Sequence, residues 1–328
     1  MAKRKVIAIL YSDLHLEKWA KFNEHNRRLN NGLDVMRQIQ KQSKINGNCP
    51  ILFAGDLMHK HKAISNFLLQ ECLPIFNKMW SGKGPTTYAI SGNHDQSEEN
   101  TNTHISPSYI KTFSTIFKGL ECVDYKSIDC GEFNLYGVPY LTHDLGFSEV
   151  IDSFKLSKNK PNILMVHTTV PGAQDTDGRE INSTLNGKTL DKLFGKFDLV
   201  ITGHIHKPDL YRVGKTKVIQ VGAPQHQRAT DVKSDMGYVK IYDDLSFERV
   251  FMNYPKFKYL EEGKPLPDTK NFYIISHKEK ESRDENKVQN NFNMRTSKSK
   301  LAISYIKERR IEDKRKKNAL IKALKSTE

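Results

Sequence analysis

The chain of 328 residues contains no apolar run of about eighteen residues, so no segment of it reads as a membrane-spanning helix. Its first apolar run, Val6-Ile7-Ala8-Ile9-Leu10, is too short for a signal peptide and lacks a small-residue cleavage site. The expected location is therefore the cytoplasm. Cysteine is scarce, and Cys49, Cys72, Cys122 and Cys130 stand in no metal-binding spacing. They are expected to be reduced, half-buried thiols, which argues against a structural zinc site. Any metal chemistry must use His, Asp and Asn. Acidic residues are also in deficit, 38 Asp and Glu against 52 Lys and Arg. More than half of the +14 excess sits between Asn271 and Glu328, which hold 16 basic and 8 acidic residues. A basic balance favours polyanionic partners, nucleic acid first, although a solvated Lys-rich surface has the same composition.

What is present is a series of short apolar runs bounded by turn residues. Pro50-Ile51-Leu52-Phe53-Ala54-Gly55-Asp56 reads as a strand buried on both faces that delivers a carboxylate at its carboxyl end. Similar strands are expected over 6–12, Thr86 to Ile90, Asn162 to Val166 and Phe197 to Thr202. Helices are expected from Glu24 to Lys44 and from Ile64 to Trp80, where Phe67, Leu68, Cys72, Ile75, Phe76 and Met79 recur at helical spacing as a core face. Cys122 to Tyr140 alternates weakly and reads as two or three antiparallel strands. Short strands follow over Leu210 to Val213, Val218 to Val221, Gly237 to Tyr242 and Phe247 to Asn253. The pattern predicts an α/β sandwich of two packed mixed sheets flanked by helices. Composition shifts after Tyr254. The expected organisation is a domain over 1–254, a linker or reduced cap over 255–296 with one strand-like run (Phe272 to Ser276), and a basic helical tail over 297–328.

Five strand ends carry ligand-type residues: Asp13-x-His15, Gly55-Asp56, Gly92-Asn93-His94-Asp95, His167, and Gly203-His204-Ile205-His206. A lone His after a strand is more often a hydrogen-bonded loop residue than a ligand. Five coincident strand ends, all at one rim of a sheet, point instead to a shared site. The single spacer in Asp13-x-His15 and His204-x-His206 lets both outer residues lie on one side of an extended chain. A mixed oxygen and nitrogen donor set suits Mn²⁺, Fe²⁺ or Zn²⁺ rather than Ca²⁺. Two such cations about 3.5–4 Å apart would clamp a phosphate and ionise a water.

In this order the motifs resemble those of the calcineurin-like metallophosphoesterase superfamily, across Asp13 to His206. Gly55-Asp56-Leu57-Met58-His59 lacks the Asp-Arg-Gly continuation of the Ser/Thr phosphatases. Together with Gly203-His204-Ile205-His206-Lys207 and the Gly222-Ala223-Pro224 turn, it resembles the SbcD-type DNA repair nucleases, and the short chain is most similar to bacteriophage recombination endonuclease subunits. The resemblance implies one metal held by Asp13, His15, Asp56 and His206, and a second held by Asp56, Asn93, His167 and His204, with Asp56 bridging. It implies that His94 faces the scissile phosphate and serves the leaving oxygen, with His59 beside it as a second polar helper. For His59, His61 and His143 the simpler reading is a solvated loop position.

The resemblance further implies two divalent ions, Mn²⁺ before Fe²⁺ or Zn²⁺ and with Mg²⁺ least favoured. It implies DNA as substrate, cut as exonuclease and endonuclease, an SbcC-type coiled-coil ATPase as partner, and a homodimer within that complex. A phage-encoded chain would act in the host cytoplasm. A phosphoesterase acting on nucleotides or small phosphodiesters explains the metal motifs equally well but leaves the basic tail unused. A metal-free scaffold is disfavoured because no ligand of the set is missing. One departure stands out: SbcD-type proteins carry a sizeable capping domain, whereas only 74 residues follow Tyr254 here.

Overall fold

The computed structural model describes residues 4–97, 106–142, 144–170, 173–176, 178–181, 183, 194–267 and 270–276. The first sheet is built from β1 (Val6–Tyr11), β2 (Ile51–Phe53), β3 (Thr87–Ala89) and β4 (Leu120–Cys122), all parallel. Their crossovers hold α1 (Arg27–Ile45), α2 (Asn66–Met79) and α3 (Tyr109–Ile116). The chain then changes sheets. β5 (Ser127–Asp129) pairs antiparallel with β6 (Asn134–Val138), α4 (Asp144–Ser153) follows, and β7 (Asn162–His167) and β8 (Leu199–Gly203) extend the sheet in parallel with β6. β9 (Asp209–Val213) lies antiparallel to β10 (Thr216–Gln220), which is parallel to β8. Finally β11 (Gly237–Tyr242) and β12 (Phe247–Phe251) return antiparallel beside β1. The two six-stranded sheets run β12-β11-β1-β2-β3-β4 and β5-β6-β7-β8-β10-β9.

Alternation along the strands builds three apolar layers. β1 sends Ile9 and Tyr11 toward the helices and Ala8 and Leu10 toward the second sheet, and β2 divides Ile51 and Phe53 from Leu52 and Ala54 in the same way. β7 places Ile163 and Met165 between the sheets and Leu164 and Val166 against Phe147 and Ile151 of α4. Each large side chain so buried stabilises the fold by roughly 1.5–3 kcal/mol. Runs apolar on both faces are therefore what a sheet covered on both sides requires, as the sequence led us to expect.

The helices expected over Glu24 to Lys44 and Ile64 to Trp80 are α1 and α2. Ser65 caps α2 by accepting the Leu68 N–H at 3.2 Å. Between Cys122 and Tyr140 the expected antiparallel strands are β5 and β6. β4, which ends where that stretch begins, pairs parallel with β3, and the chain then leaves the first sheet for the second. Neither α3 nor α4 was expected. Past residue 254, β13 (Phe257–Glu261) pairs parallel with β14 (Phe272–Ser276), and the compact unit extends through Ser276. Phe257 and Phe272 are both buried there. The tail expected over 297–328 lies outside the described residues. Among those described, no helix is long and apolar enough to cross a membrane.

Candidate active site

The strand ends singled out in the sequence meet because β1, β2, β3, β7 and β8 all point their carboxyl ends to one rim. The loops after β1 and β2 continue side by side. Asp13 N–H donates to Gly55 O at 2.9 Å, His15 N–H to Asp56 O at 3.0 Å, Leu16 N–H to Leu57 O at 2.8 Å and His59 N–H to Leu16 O at 3.2 Å. This zipper carries Asp13, His15, Asp56 and His59 to one place. It needs unusual backbone: Asp13, His15 and Asp56 have φ of 54°, 47° and 63°. Such left-handed geometry in non-glycine residues is costly and clusters at functional sites. Gly55 (φ +96°) also has no room for a side chain, since a Cβ would lie 2.5 Å from His167 Nδ1. At Gly92 a Cβ would lie 2.1 Å from Asp56 Oδ1.

Two donor groups share the Asp56 carboxylate. On one side His15 Nε2 lies 3.5 Å from Asp56 Oδ2, 4.0 Å from Asp13 Oδ1 and 3.1 Å from His206 Nε2. On the other, His167 Nε2 lies 3.4 Å from Asp56 Oδ2 and 3.2 Å from Asn93 Oδ1, and His204 Nδ1 lies 2.9 Å from that same amide oxygen. Asp13, His15, Asp56 and His167 are buried; Asn93, His204 and His206 are half-buried and face the opening. His167 Nδ1 donates to Ala54 O at 2.7 Å, which leaves Nε2 as the ring's ligand atom. The His204 N–H donates to both Asp13 carboxylate oxygens at 3.2 Å, tying the last strand end to the first.

His94 and His59 sit beside these groups. His94 N–H donates to Asp56 Oδ1 at 2.8 Å and its Nδ1 to His59 O at 2.5 Å, so the ring's Nε2 is the atom left for a substrate. The His94 ring stacks on His59 at 5.2 Å and on His61 at 4.4 Å. His61, read in sequence as a solvated loop position, is exposed but belongs to the lip of the site, held by its Nδ1 donating to Asn93 O at 2.8 Å. His143 lies outside the described residues. Asp95 was quoted in the sequence only as the end of a motif. Its buried carboxylate accepts the N–H groups of Asp56 (2.7 Å), Leu57 (2.9 Å), Met58 (3.3 Å) and Gly92 (3.0 Å) and so shapes the Asp56 loop. No spacing rule reports such a role, because its partners are backbone atoms.

Burial and mutual charge set the titration of the site. Burial drives His15 well below the usual imidazole value, and burial together with His167 takes His204 to about 3. Burial and His94 lower His59 to about 4. These rings are neutral at pH 7, the form that donates a lone pair to a cation. Burial raises Asp13 against the pull of His167. It also opposes ionisation of Asp56, yet His167 and His15 hold that carboxyl well below the usual carboxylate range. His167 is pushed the other way, to about 9, because Asp56 outweighs its burial. Burial and Asp56 push Asp95 up to about 7.

Two divalent cations fit these donors. Among the described residues, the basic groups within 4.0 Å of the buried Asp13 and Asp56 carboxylates are imidazoles alone, and that of His15 is neutral, whereas buried anions need compensating charge. Donor atoms of Asp13, His15 and His206, and of Asp56, His167 and His204, lie within 4.8 Å of one another. Asp56 Oδ2 lies between the two sets.

The model of the calcineurin-like phosphoesterase family matches residues 8–208, more than half of the chain. No curated protein matches it. Solved structures similar to the chain include the protein TT1561 of Thermus thermophilus, at 13% identity and TM-score 0.46, over 75% of this chain and 99% of that one. An archaeal phosphodiesterase matches at 12% identity and TM-score 0.39, over 75% and 99%. The phosphopantetheinyl hydrolase of Mycobacterium tuberculosis matches at 13% and 0.41, over 68% and 92%.

Proposed function

Because the chain belongs to the calcineurin-like phosphoesterase family of metal-dependent hydrolases, we propose that it hydrolyses phosphodiester bonds of DNA as an SbcD-type nuclease subunit. One ion would be held by Asp13, His15, Asp56 and His206, the other by Asp56, Asn93, His167 and His204, and Mn²⁺ suits this oxygen and imidazole set. The observation that carries the reading is the His61-His94-His59 stack beside Asp56, with basic residues next to it in the chain. Exposed Lys60 and Lys62 flank His61, Lys207 follows His206, and the charge of exposed Arg228 is felt by His59. A continuous polyanion is the substrate such a rim attracts.

When bound, the ions polarise the phosphoryl group and supply a nucleophile from water. The protein contributes the rest. The Asp95 carboxylate and the zippered loops preset Asp56, so no reorganisation is needed as charge develops on the phosphate. His94 serves the departing sugar oxygen as proton donor through Nε2, the nitrogen left by the Nδ1 bond to the His59 carbonyl, which keeps the ring from turning. An SbcC-type coiled-coil ATPase as partner, and a homodimer within that complex, are part of the same proposal.

The test is incubation of the pure protein with Mn²⁺ and labelled linear duplex, beside bis-p-nitrophenyl phosphate. Cleavage of both is expected. Cleavage of the small ester alone would replace this reading with that of a phosphoesterase acting on nucleotides or small phosphodiesters.

A further inference from the structure

His59 is held in an unusual way. Its Nδ1 is buried and has no hydrogen-bond partner among the described residues, so that nitrogen does not orient the ring. What meets the ring is aromatic. Trp19 lies 4.5 Å from it between ring centroids, and His94 lies 5.2 Å away and nearly parallel, at 16°. Trp19 is half-buried, in the loop between β1 and α1, and it in turn carries the Arg28 guanidinium at 3.9 Å from its ring centroid.

Arg28 is fixed from several sides. It sits in the first turn of α1 and is 7% exposed. Its Nη2 donates to Gln227 O at 2.7 Å and its Nη1 reaches Lys21 O at 3.5 Å. The guanidinium also lies 5.4 Å from the ring of Phe257, the first residue of β13. Phe257 packs on Phe22 at 5.3 Å and on Phe272 of β14 at 5.1 Å. Gln227, which receives Arg28, donates through Nε2 to Leu14 O at 3.0 Å, between Asp13 and His15. A planar, delocalised cation can stack on an indole and still direct N–H groups sideways to carbonyls. An ammonium cannot do both.

We propose that Arg28 and Trp19 are positioning residues that press the His59 ring against His94, with the β13–β14 pair as their anchor. The β13–β14 pair thus acts on the site through a stack that starts at Phe257 and ends at His59. This rests on the role given above to His59, and the two can fail separately.

The test uses the full chain loaded with Mn²⁺, with kcat and KM for bis-p-nitrophenyl phosphate and metal content measured for each variant. His59→Ala alone reads the role of His59. Trp19→Ala is expected to lower kcat about tenfold with KM and metal content unchanged, and Trp19→Phe, which keeps an aromatic face, to recover most of that loss. In the His59→Ala background, Trp19→Ala is expected to add nothing further, as coupled neighbours behave in a double-mutant cycle. Arg28→Lys keeps the charge and loses the planar contact. It is expected to lower kcat several-fold, and it serves where Trp19→Ala does not fold. An additive loss in the His59→Ala background, a metal deficit in Trp19→Ala, or unchanged kcat in Arg28→Lys would each overturn the proposal. If His59→Ala itself retains full kcat, the role of His59 fails. The coupling is then read from the His94 Nδ1–H resonance, which Trp19→Ala should move and which, left unmoved, overturns the stack.

Discussion

The Asp95 carboxylate lies beneath the loop that carries Asp56, with Oδ2 accepting the Asp56 N–H at 2.7 Å and Oδ1 the Leu57 N–H at 2.9 Å. An asparagine there keeps the shape but turns an NH2 group toward backbone donors. Each buried donor left unpaired costs roughly 1–3 kcal/mol. Asp95→Asn should therefore lower the stability of the protein and its metal content together, as read by urea unfolding and by elemental analysis. Wild-type values of both would show that the loop does not depend on this carboxylate.

Asp56→Asn acts on the site directly. Asp56 Oδ2 stands within 3.5 Å of an imidazole of each donor set, so loss of its charge weakens both ions at once. Nearly all hydrolysis should disappear and the bound metal should fall with it, while the circular dichroism of the fold is retained. A variant with two ions and normal turnover would refute the bridging role.

His94→Ala should separate chemistry from metal binding. His94 reaches Asp56 only through its backbone N–H, which alanine keeps. Both ions should remain while kcat drops about 10²–10⁴-fold, the usual worth of general acid catalysis. An ion missing from this variant would make His94 a ligand instead.

Metal uptake should release protons. His167 without metal is pushed to about 9 by Asp56 against its own burial, so at pH 7.5 it is protonated. A ligand imidazole must be neutral. Raising the pH through about 9 removes that proton, so the apparent affinity for Mn²⁺ should rise up to that point and level off above it. Calorimetric titrations at pH 7.5 in two buffers of different ionisation enthalpy should differ accordingly. Identical heats would show that no proton leaves.

The basic tail offers a partner test. Leu301, Tyr305, Leu320 and Leu324 are spaced as apolar helix faces among Lys and Arg, and we propose that they dock the SbcC-type ATPase. Deletion of 297–328 should abolish co-purification with that ATPase and spare metal-dependent cleavage of a small phosphodiester. Full binding by the shortened chain would place the docking element elsewhere.

Much of this molecule was open to reading in one dimension. The runs at Val6, Ile51, Asn162 and Leu199 are apolar at nearly every position because their strands are covered on both faces, and a residue's surroundings then show directly in its type. The residues at their ends were legible for the same reason: parallel strands bring their carboxyl ends together whatever the intervening chain does. α3 and α4 were not legible. Tyr109–Ile116 is only eight residues long, rich in Thr and Ile, and its Ser108 cap needs the fold to be seen as one. Nor was the parallel pairing of β4, because a partner strand is chosen by the sheet and not by the strand.

What the sequence determined by itself is the inventory: the donor types, their order and the strand ends that carry them. The tertiary structure alone decided which backbone groups Asp95 would receive, how His61 would join His94, and that Arg28, Trp19 and Phe257 would line up behind His59. Apart from Arg28 on Trp19, those contacts join residues tens to hundreds of positions apart, and all run through backbone groups and ring faces. Every residue has carbonyls, and ring faces look alike in any core, so neither leaves a periodic trace in the chain.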